Sequence, residues 1–236
     1  MNADRFTANR RRVYFVRHGA VDYFDPEGRP FDPRGVPLSA EGRRQVEALR
    51  VSLAEAPIDR AVCSGMPRTR QTAETVLLGH DVLLGEDARF KEIRAGRFRE
   101  IDPEHLERAV AGAYDSSASP GAKFVGGEFF ADFQARVLSA FDALLAEDGW
   151  RHLLIAAHDG VNRVLLGWAG GMGLAACSAF EQDTACLNIV DVDGAGDDPA
   201  RRWIRLMNFT PYDPAKRGLC LNSMERIYLA YRPGGV

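Results

Sequence analysis

Three short apolar runs in the chain each end abruptly in polar, hydrogen-bonding residues. The β-favouring residues of these runs predict buried strands. In open α/β sheets ligands bind beyond the carboxyl ends of the strands, so three such endings predict one shared site, and their cationic and imidazole side chains favour an anion there. The runs and their sequels are residues 13–16 before Arg17, His18 and Gly19, residues 58–63 before Ser64 and Arg68, and residues 153–157 before His158, Asp159 and Gly160.

Helical periodicity lies between and after these strands. Ser39 resembles an N-cap, and Val46, Leu49 and Leu53 form a helical stripe behind it. Alternating strands and helices predict a three-layer α/β/α sandwich with a mostly parallel central sheet. Further helices are predicted at 67–78, 103–114, 128–148 and 161–168, and further strands at 82–84, 187–192, 203–209 and 227–231, the last at an edge.

Three stretches of the chain show only weak helical or strand periodicity. No repeat or low-complexity linker separates them from the rest of the chain. We therefore expect a single domain over residues 1–236. The Pro- and Gly-rich loop at 20–37 leaves the proposed site directly, and loops of that length are commonly functional or disordered. Residues 93–127 form an insertion that fits a lid or a substrate-selecting subregion, or equally inert padding. Residues 210–236 form a C-terminal extension, whose apolar part fits an edge-strand cover or a homodimer contact.

Composition narrows the class of partner. The net charge of -3 and a pI near 6.0 argue against general nucleic-acid binding. The polar segment at 1–9 precedes no apolar run of signal-peptide type, and no stretch is long enough to cross a bilayer. The cysteines lack metal-ligand spacing and have apolar neighbours, so we expect reduced, structural thiols and a cytoplasmic protein. They are Cys63, Cys177, Cys186 and Cys220.

The strand-end residues suit phosphoryl chemistry. An arginine presents a planar fork of donors that matches phosphate oxygens, so Arg17 and Arg68 could hold one phosphoryl group from two sides. Between them His18 can attack phosphorus when its imidazole is neutral, and nearby arginines lower the pKa of a histidine. His158 then supplies a further donor to the oxygens that carry charge in the transition state.

A departing alkoxide needs a proton, and Glu92 is the candidate general acid that would donate it. Asp22, Asp25, Asp87 and Asp159 are alternatives by residue type. Ser64 could bond phosphate, although a helix cap explains it equally well. The arginine run around Arg94 is either a solvated face or a contact for a second anionic group of the substrate; it comprises Arg94, Arg97 and Arg99.

These blocks together resemble the histidine phosphatase, or phosphoglycerate mutase-like, superfamily over about residues 13–168. The resemblance implies a phosphohistidine on His18, phosphate binding by Arg17, Arg68 and His158, Glu92 as proton donor, and no metal or organic cofactor. The blocks are Val16-Arg17-His18-Gly19, Leu38-Ser39-x-x-Gly42, Ser64-x-x-x-Arg68-x-x-Gln71-Thr72-Ala73, Glu92, and Ala157-His158-x-Gly160-Val161-x-Arg163.

Departures from the family pattern refine the expected activity. Many members have Glu-Thr and then Trp-Asn after Arg-His-Gly, whereas this chain has Ala20-Val21-Asp22-Tyr23-Phe24. Mutases usually carry Tyr-Gly after the acid, and residues 93–98 lack that tyrosine. Asp159 stands where glycine is common, and with Ser64 and Arg94 it is a candidate contact to the substrate. The resulting expectation is a phosphomonoester hydrolase acting on a small phosphorylated metabolite, with a mutase or a non-catalytic phospholigand-binding protein as the alternatives.

Overall fold

A six-stranded sheet forms the middle layer of the protein. The computed structural model describes residues 9–25, 29, 31–193 and 201–231. The strand order is β3-β2-β4-β1-β5-β6, and β5 alone runs against the others. The mostly parallel sheet is therefore confirmed. The strands are β1 Arg10–Arg17, β2 Arg60–Cys63, β3 Leu84–Glu86, β4 His152–Ala157, β5 Leu187–Asp193 and β6 Arg201–Phe209.

Helices cover both faces of the sheet, which confirms the three-layer sandwich. Alternate side chains of β1 enter two separate cores: Val13 and Phe15 pack with α4 and α5, and Tyr14 and Val16 pack with α1 and α2. A strand buried on both faces reads as a continuous apolar run. The seven helices of the described ranges are α1 Ala40–Leu53, α2 Pro67–Val76, α3 Pro103–Ala111, α4 Phe130–Ala146, α5 Asp159–Gly170, α6 Ala176–Ala179 and α7 Ser223–Tyr231.

Helix α1 begins where the sequence predicts. The Ser39 side chain accepts a hydrogen bond of 3.0 Å from the Gly42 N–H, as an N-cap does. A Cβ on Gly42 would collide with the backbone of Ala20, just after the end of β1. This close approach explains the glycine, because only a residue without a side chain lets the helix meet the strand exit.

The predicted edge strand at 227–231 is wrong, because this segment lies in helix α7. Asn222 and Glu225 each accept a hydrogen bond from the other's backbone N–H, at 2.8 and 2.7 Å. Such a capping box starts a helix. Met224 is buried, and Ile227 and Tyr228 pack against the core that contains α4, so tertiary burial overrides the β-propensity of the segment.

Other expectations shift in detail. The strand predicted at 82–84 is Leu84–Glu86, and the helix predicted at 103–114 ends at Ala111. Within the insertion at 93–127, Tyr114 and Phe124 belong to the main core. Cys220 is exposed, whereas the other three cysteines are buried. Most of the polar segment at 1–9 lies outside the described residues, and so do residues 194–200 between β5 and β6.

Candidate active site

The sheet order brings the three polar strand endings together. Strand β4 lies between β2 and β1, and all three are parallel. The register pairs Arg17 with Ala157 and Cys63 with Ala156, so the three strands end at nearly the same level. Residues that follow these ends, Ser64 and His158 among them, therefore lie side by side at one edge of the sheet.

His18 is held as a neutral imidazole with its Nε2 lone pair directed at a guanidinium. Its Nδ1 donates to the Gly19 carbonyl at 2.8 Å, and its Nε2 accepts from Arg68 Nε at 3.1 Å. The two contacts require the same tautomer. Burial, together with the charges of Arg68 and Arg17, holds the pKa of His18 well below 6.5. The ring can therefore act as a nucleophile at neutral pH.

His158 lies beside His18, with ring centroids 5.2 Å apart and an interplanar angle of 70°. Its Nε2 is 2.9 Å from Ser64 Oγ, and its buried Nδ1 has no partner among the described residues. Ser64 Oγ also contacts Thr69 Oγ1 at 2.8 Å. Burial first, and then the neighbouring positive charges, lower the pKa of His158 well below 6.5. Ser64 thus orients a site histidine, a contact that neither sequence-based interpretation of Ser64 included.

Arg17 is braced from the C-terminal part of the chain. Its Nη1 donates to the Gln182 carbonyl and to Ser223 Oγ, both at 2.5 Å, while its buried Nε has no partner in the described ranges. A buried donor without a partner costs about 1–3 kcal/mol. Arg17 Nε and His158 Nδ1 are therefore two polar atoms that a bound anion would satisfy.

Arg68 connects the anion site to the loop at 20–37. Its Nη1 donates to the Pro33 carbonyl at 2.6 Å. His18 and Arg68 are only 2% and 3% exposed, so the structure shows a closed site. An open cavity of about 370 Å³ lies beside Pro33, and its lining residues are Asp22, Phe31, Asp32, Gly35, Val36, Pro37, Leu38 and Ser39.

Glu92 faces the start of helix α5. Its carboxylate accepts hydrogen bonds from the Gly160 N–H at 3.1 and 3.3 Å and from the Ile93 N–H at 3.0 Å. Burial, and secondarily the negative charge of Asp159, raises the pKa of Glu92 to about 7. A carboxyl group with this pKa can give and take a proton near neutral pH.

Asp159 is turned toward arginines. One carboxylate oxygen accepts from Arg163 Nε at 2.5 Å, and the other lies 3.9 Å from Arg17 Nη1. Its side chain is 5% exposed. A buried carboxylate in such a position is compensated by paired charges, and it offsets part of the positive charge of Arg17.

Arg94 lies on the surface. Its side chain is 81% exposed, and its guanidinium is 3.6 Å from Glu128. Arg97 pairs with Glu100 in the same exposed stretch. Of the alternative acids, Asp87 accepts from the N–H and guanidinium of Arg89.

Sequence reasoning missed three residues that support the site. Tyr114 brings its hydroxyl to the Cα of Gly160: a Cβ there would lie 3.1 Å from Tyr114 Oη and 2.7 Å from Glu92 Oε1. Glu128 and Arg136 form a charged pair beneath the Glu92 segment. The sequence does contain a signal for this pair. Glu128 follows two glycines just before the start of a strongly amphipathic helix, and Arg136 lies eight residues later within that helix.

Fold and site together define an α/β protein with two arginines and two histidines gathered at the carboxyl end of its sheet. The model of the histidine phosphatase superfamily (branch 1) matches residues 13–203. The chain belongs to the histidine phosphatase superfamily, and it is a phosphatase.

Several similar proteins are named as phosphatases. The chain is 30% identical over 187 residues to the adenosylcobalamin/alpha-ribazole phosphatase of Salmonella typhimurium, covering 77% of this chain and 90% of that protein. It is 24% identical over 220 residues to a probable 2-carboxy-D-arabinitol-1-phosphatase of Arabidopsis thaliana, covering 91% of this chain and 45% of that protein. The alpha-ribazole phosphatase of Shigella flexneri has the same fold, with a TM-score of 0.65, 24% identity and coverage of 84% and 96%.

Within the described ranges, no helix is long and apolar enough to cross a membrane. In the same part of the chain no group of three or more histidine, cysteine, aspartate or glutamate residues is placed to hold a metal ion.

Proposed function

We propose that this chain hydrolyses phosphate monoesters of small metabolites with His18 as the nucleophile and Glu92 as the acid. One observation carries the proposal: two guanidinium groups and two imidazoles converge at adjacent strand ends, where the buried Arg17 Nε and His158 Nδ1 have no hydrogen-bond partner among the described residues. Unsatisfied buried polar atoms in a cationic cluster indicate an anionic ligand.

In the first step His18 Nε2 attacks phosphorus in line with the ester oxygen. The N–P bond forms while the P–O bond breaks, and Glu92 transfers its proton to the departing oxygen. Arg17, Arg68 and His158 hold the three other phosphoryl oxygens and stabilise their charge. The products are an alcohol and phosphohistidine.

In the second step water attacks the phosphohistidine. Glu92, now a carboxylate, takes a proton from the water as the new P–O bond forms and the N–P bond breaks. His18 returns to its neutral form, still held by the Gly19 carbonyl. Inorganic phosphate then leaves.

Substrate access requires the loop at 20–37 to move. Pro33 occupies one donor of Arg68, another donor of Arg68 occupies the lone pair of His18 Nε2, and His18 is 2% exposed. An ester therefore reaches Nε2 after both hydrogen bonds have broken. Loop opening of this kind commonly gates enzyme active sites. We assign the insertion at 93–127 to substrate binding, as the part of the chain that contacts the rest of the substrate.

The remaining predicted substrate contacts divide by position. We assign Ser64 to orienting His158, and Asp159 to balancing Arg17. We assign Arg94, which is exposed two residues after Glu92, to a contact with a second anionic group of the substrate. An alpha-ribazole phosphate is the first substrate to test, because the relative from Salmonella typhimurium carries that activity in its name.

The unpaired cysteines favour a reducing compartment, and we therefore place the protein in the cytoplasm. Pairing with a second copy stays a prediction. The apolar residues that suggested it pack in part against the protein's own core through Met224 and Ile227.

Phosphate release from p-nitrophenyl phosphate, sugar phosphates and alpha-ribazole phosphate tests the proposed function. We expect release with the wild-type protein and none above background with His18→Ala. Equal rates for both proteins would refute the proposal. Isomer formation without free phosphate would show a mutase, and phosphate binding without turnover would show a non-catalytic binding protein.

A further inference from the structure

Arg136, on helix α4, uses its guanidinium to hold the backbone on which Glu92 lies. Its Nη1 donates to the carbonyls of Arg89 and Lys91 at 2.6 and 2.7 Å, and its Nη2 donates to the Glu92 carbonyl at 3.1 Å. The planar fork of an arginine suits such convergent acceptors, and a lysine cannot reproduce it. Three carbonyls of the acid's own segment are therefore fixed by one side chain.

Glu128 completes the support from the other side. It accepts from Arg136 Nε and Nη2 at 2.9 and 3.0 Å, and its Oε2 also accepts from the Arg94 N–H at 3.0 Å. Its side chain is 4% exposed. The pair thus brackets Glu92: Arg136 binds the backbone up to Glu92, and Glu128 binds the backbone two residues later.

The Glu92 segment has little other regular support. Strand β3 ends at Glu86 and helix α3 begins at Pro103, and only short 3₁₀ turns lie between them. Two backbone hydrogen bonds hold its later part, from the Glu128 N–H to the Arg94 carbonyl and from the Gly96 N–H to the Val125 carbonyl. Side-chain hydrogen bonds supply partners for the backbone groups nearer Glu92. The carboxylate of Glu92 can meet the Gly160 N–H only while its backbone keeps this position.

We propose that Arg136 and Glu128 are a positioning pair that sets the carboxyl group of Glu92 at the phosphoryl site. The inference rests on the proposed function, because it assigns the pair to the acid of that reaction. The hydrogen bonds of the pair join the two residues to each other and to the backbone around Glu92. A general acid works only within hydrogen-bond reach of the atom that it protonates, so a small displacement of Glu92 removes its contribution.

Two substrates separate this role from a general structural one. p-Nitrophenolate leaves without needing a proton, whereas the alkoxide of glycerol 3-phosphate needs one. The parameter kcat/KM reports the first irreversible step, formation of the phosphoenzyme, for both esters. The ratio of the two kcat/KM values for one preparation is independent of how much of that protein is folded.

The variants are Arg136→Lys, Glu128→Gln and, as a reference for loss of the acid, Glu92→Gln. Arg44→Lys is the matched control, because Arg44 is 71% exposed and pairs with Glu41 on the outside of α1. His18→Ala checks the proposed function separately. Activity of His18→Ala equal to wild type would refute that function, whatever the other variants do.

We expect Arg136→Lys to lower kcat/KM for glycerol 3-phosphate by about 10–100-fold, a large part of what a general acid contributes, and that for p-nitrophenyl phosphate by less than about threefold. Glu128→Gln should shift the ratio in the same direction, and Arg44→Lys should leave it unchanged. Equal losses on both esters, or no loss, in Arg136→Lys and Glu128→Gln would overturn the positioning role while Glu92→Gln still shows the selective loss.

Discussion

The cationic side of the site and its acidic side are held in place by different means. Arg17 ends β1, and His18 and His158 directly follow β1 and β4, whose backbone register fixes where they lie. Glu92 lies between regular elements and takes its place from Arg136 and Glu128. The comparison shows that the register of a sheet fixes where the binding groups lie, and side chains such as Ser64 and Ser223 then orient them. On the irregular segment, side chains also help to fix the backbone that carries the acid.

The largest effect should come from the cationic side. His18→Ala removes the atom that bonds to phosphorus, and we expect kcat to fall by about 10⁴-fold or more on every ester. Steady-state phosphate release measures this loss. Because the alanine leaves the register of β1 and β4 intact, the thermal unfolding midpoint should change little. If His18→Ala kept more than a tenth of wild-type activity, the assignment of the nucleophile to the cationic side of the site would be contradicted.

Arg68→Lys tests whether the guanidinium geometry matters on the same side. A lysine keeps the charge but loses the fork that meets both His18 and the loop, so we expect kcat/KM to fall by about 100-fold on activated and alkyl esters alike. Kinetics with p-nitrophenyl phosphate and glycerol 3-phosphate give the two values. A loss confined to the alkyl ester would instead place Arg68 with the acid.

Gly160→Ala tests the acidic side. The new Cβ would lie 2.7 Å from Glu92 Oε1, closer than real contacts allow, so the carboxyl group must move. We expect about a tenfold loss of kcat/KM for the alkyl ester and a much smaller one for p-nitrophenyl phosphate. Ala157→Gly, on β4 just before the site, is a control for packing changes in that region. Equal losses for both esters with Gly160→Ala would contradict the assignment.

Asp159→Asn should have the smallest effect on rate and a clear effect on pH dependence. Glu92 must be protonated to act as an acid, so kcat/KM for an alkyl ester should fall as pH rises through about 7. Asp159 contributes to that raised pKa, although burial contributes more. Removing its charge should shift the alkaline limb to lower pH, with a change at the optimum of less than about threefold. A shift to higher pH would contradict this account.

The same contrast explains what could be predicted from the sequence. The ends of β1 and β4 could be predicted because buried strands form continuous apolar runs in the sequence. The site residues at these ends come directly after the apolar runs. Helix α7 was not predicted, because its β-favouring side chains are buried by tertiary packing that a local sequence pattern does not reveal. The capping box at Asn222 and Glu225 was the local signal that could have indicated the helix. The support of Glu92 by Arg136 joins residues more than forty positions apart.

The closed state of the site also could not be predicted from local sequence patterns. Pro33 meets Arg68 through a backbone carbonyl, and any residue type could supply such an acceptor. The brace on Arg17 by Ser223 spans 206 positions. Contacts of this kind depend on the final path of the chain, so the sequence could suggest which groups bind phosphate but not which protein groups hold them.

The most direct test is to trap the phosphoenzyme. Wild-type protein mixed with ³²P-labelled ester and quenched in alkali within milliseconds should carry label that is stable in base and lost in acid, as a phosphohistidine is. Peptide mapping should place the label on His18, and Glu92→Gln should slow its formation from an alkyl ester. Label on another residue, or turnover with no labelled protein at any quench time, would contradict the central claim.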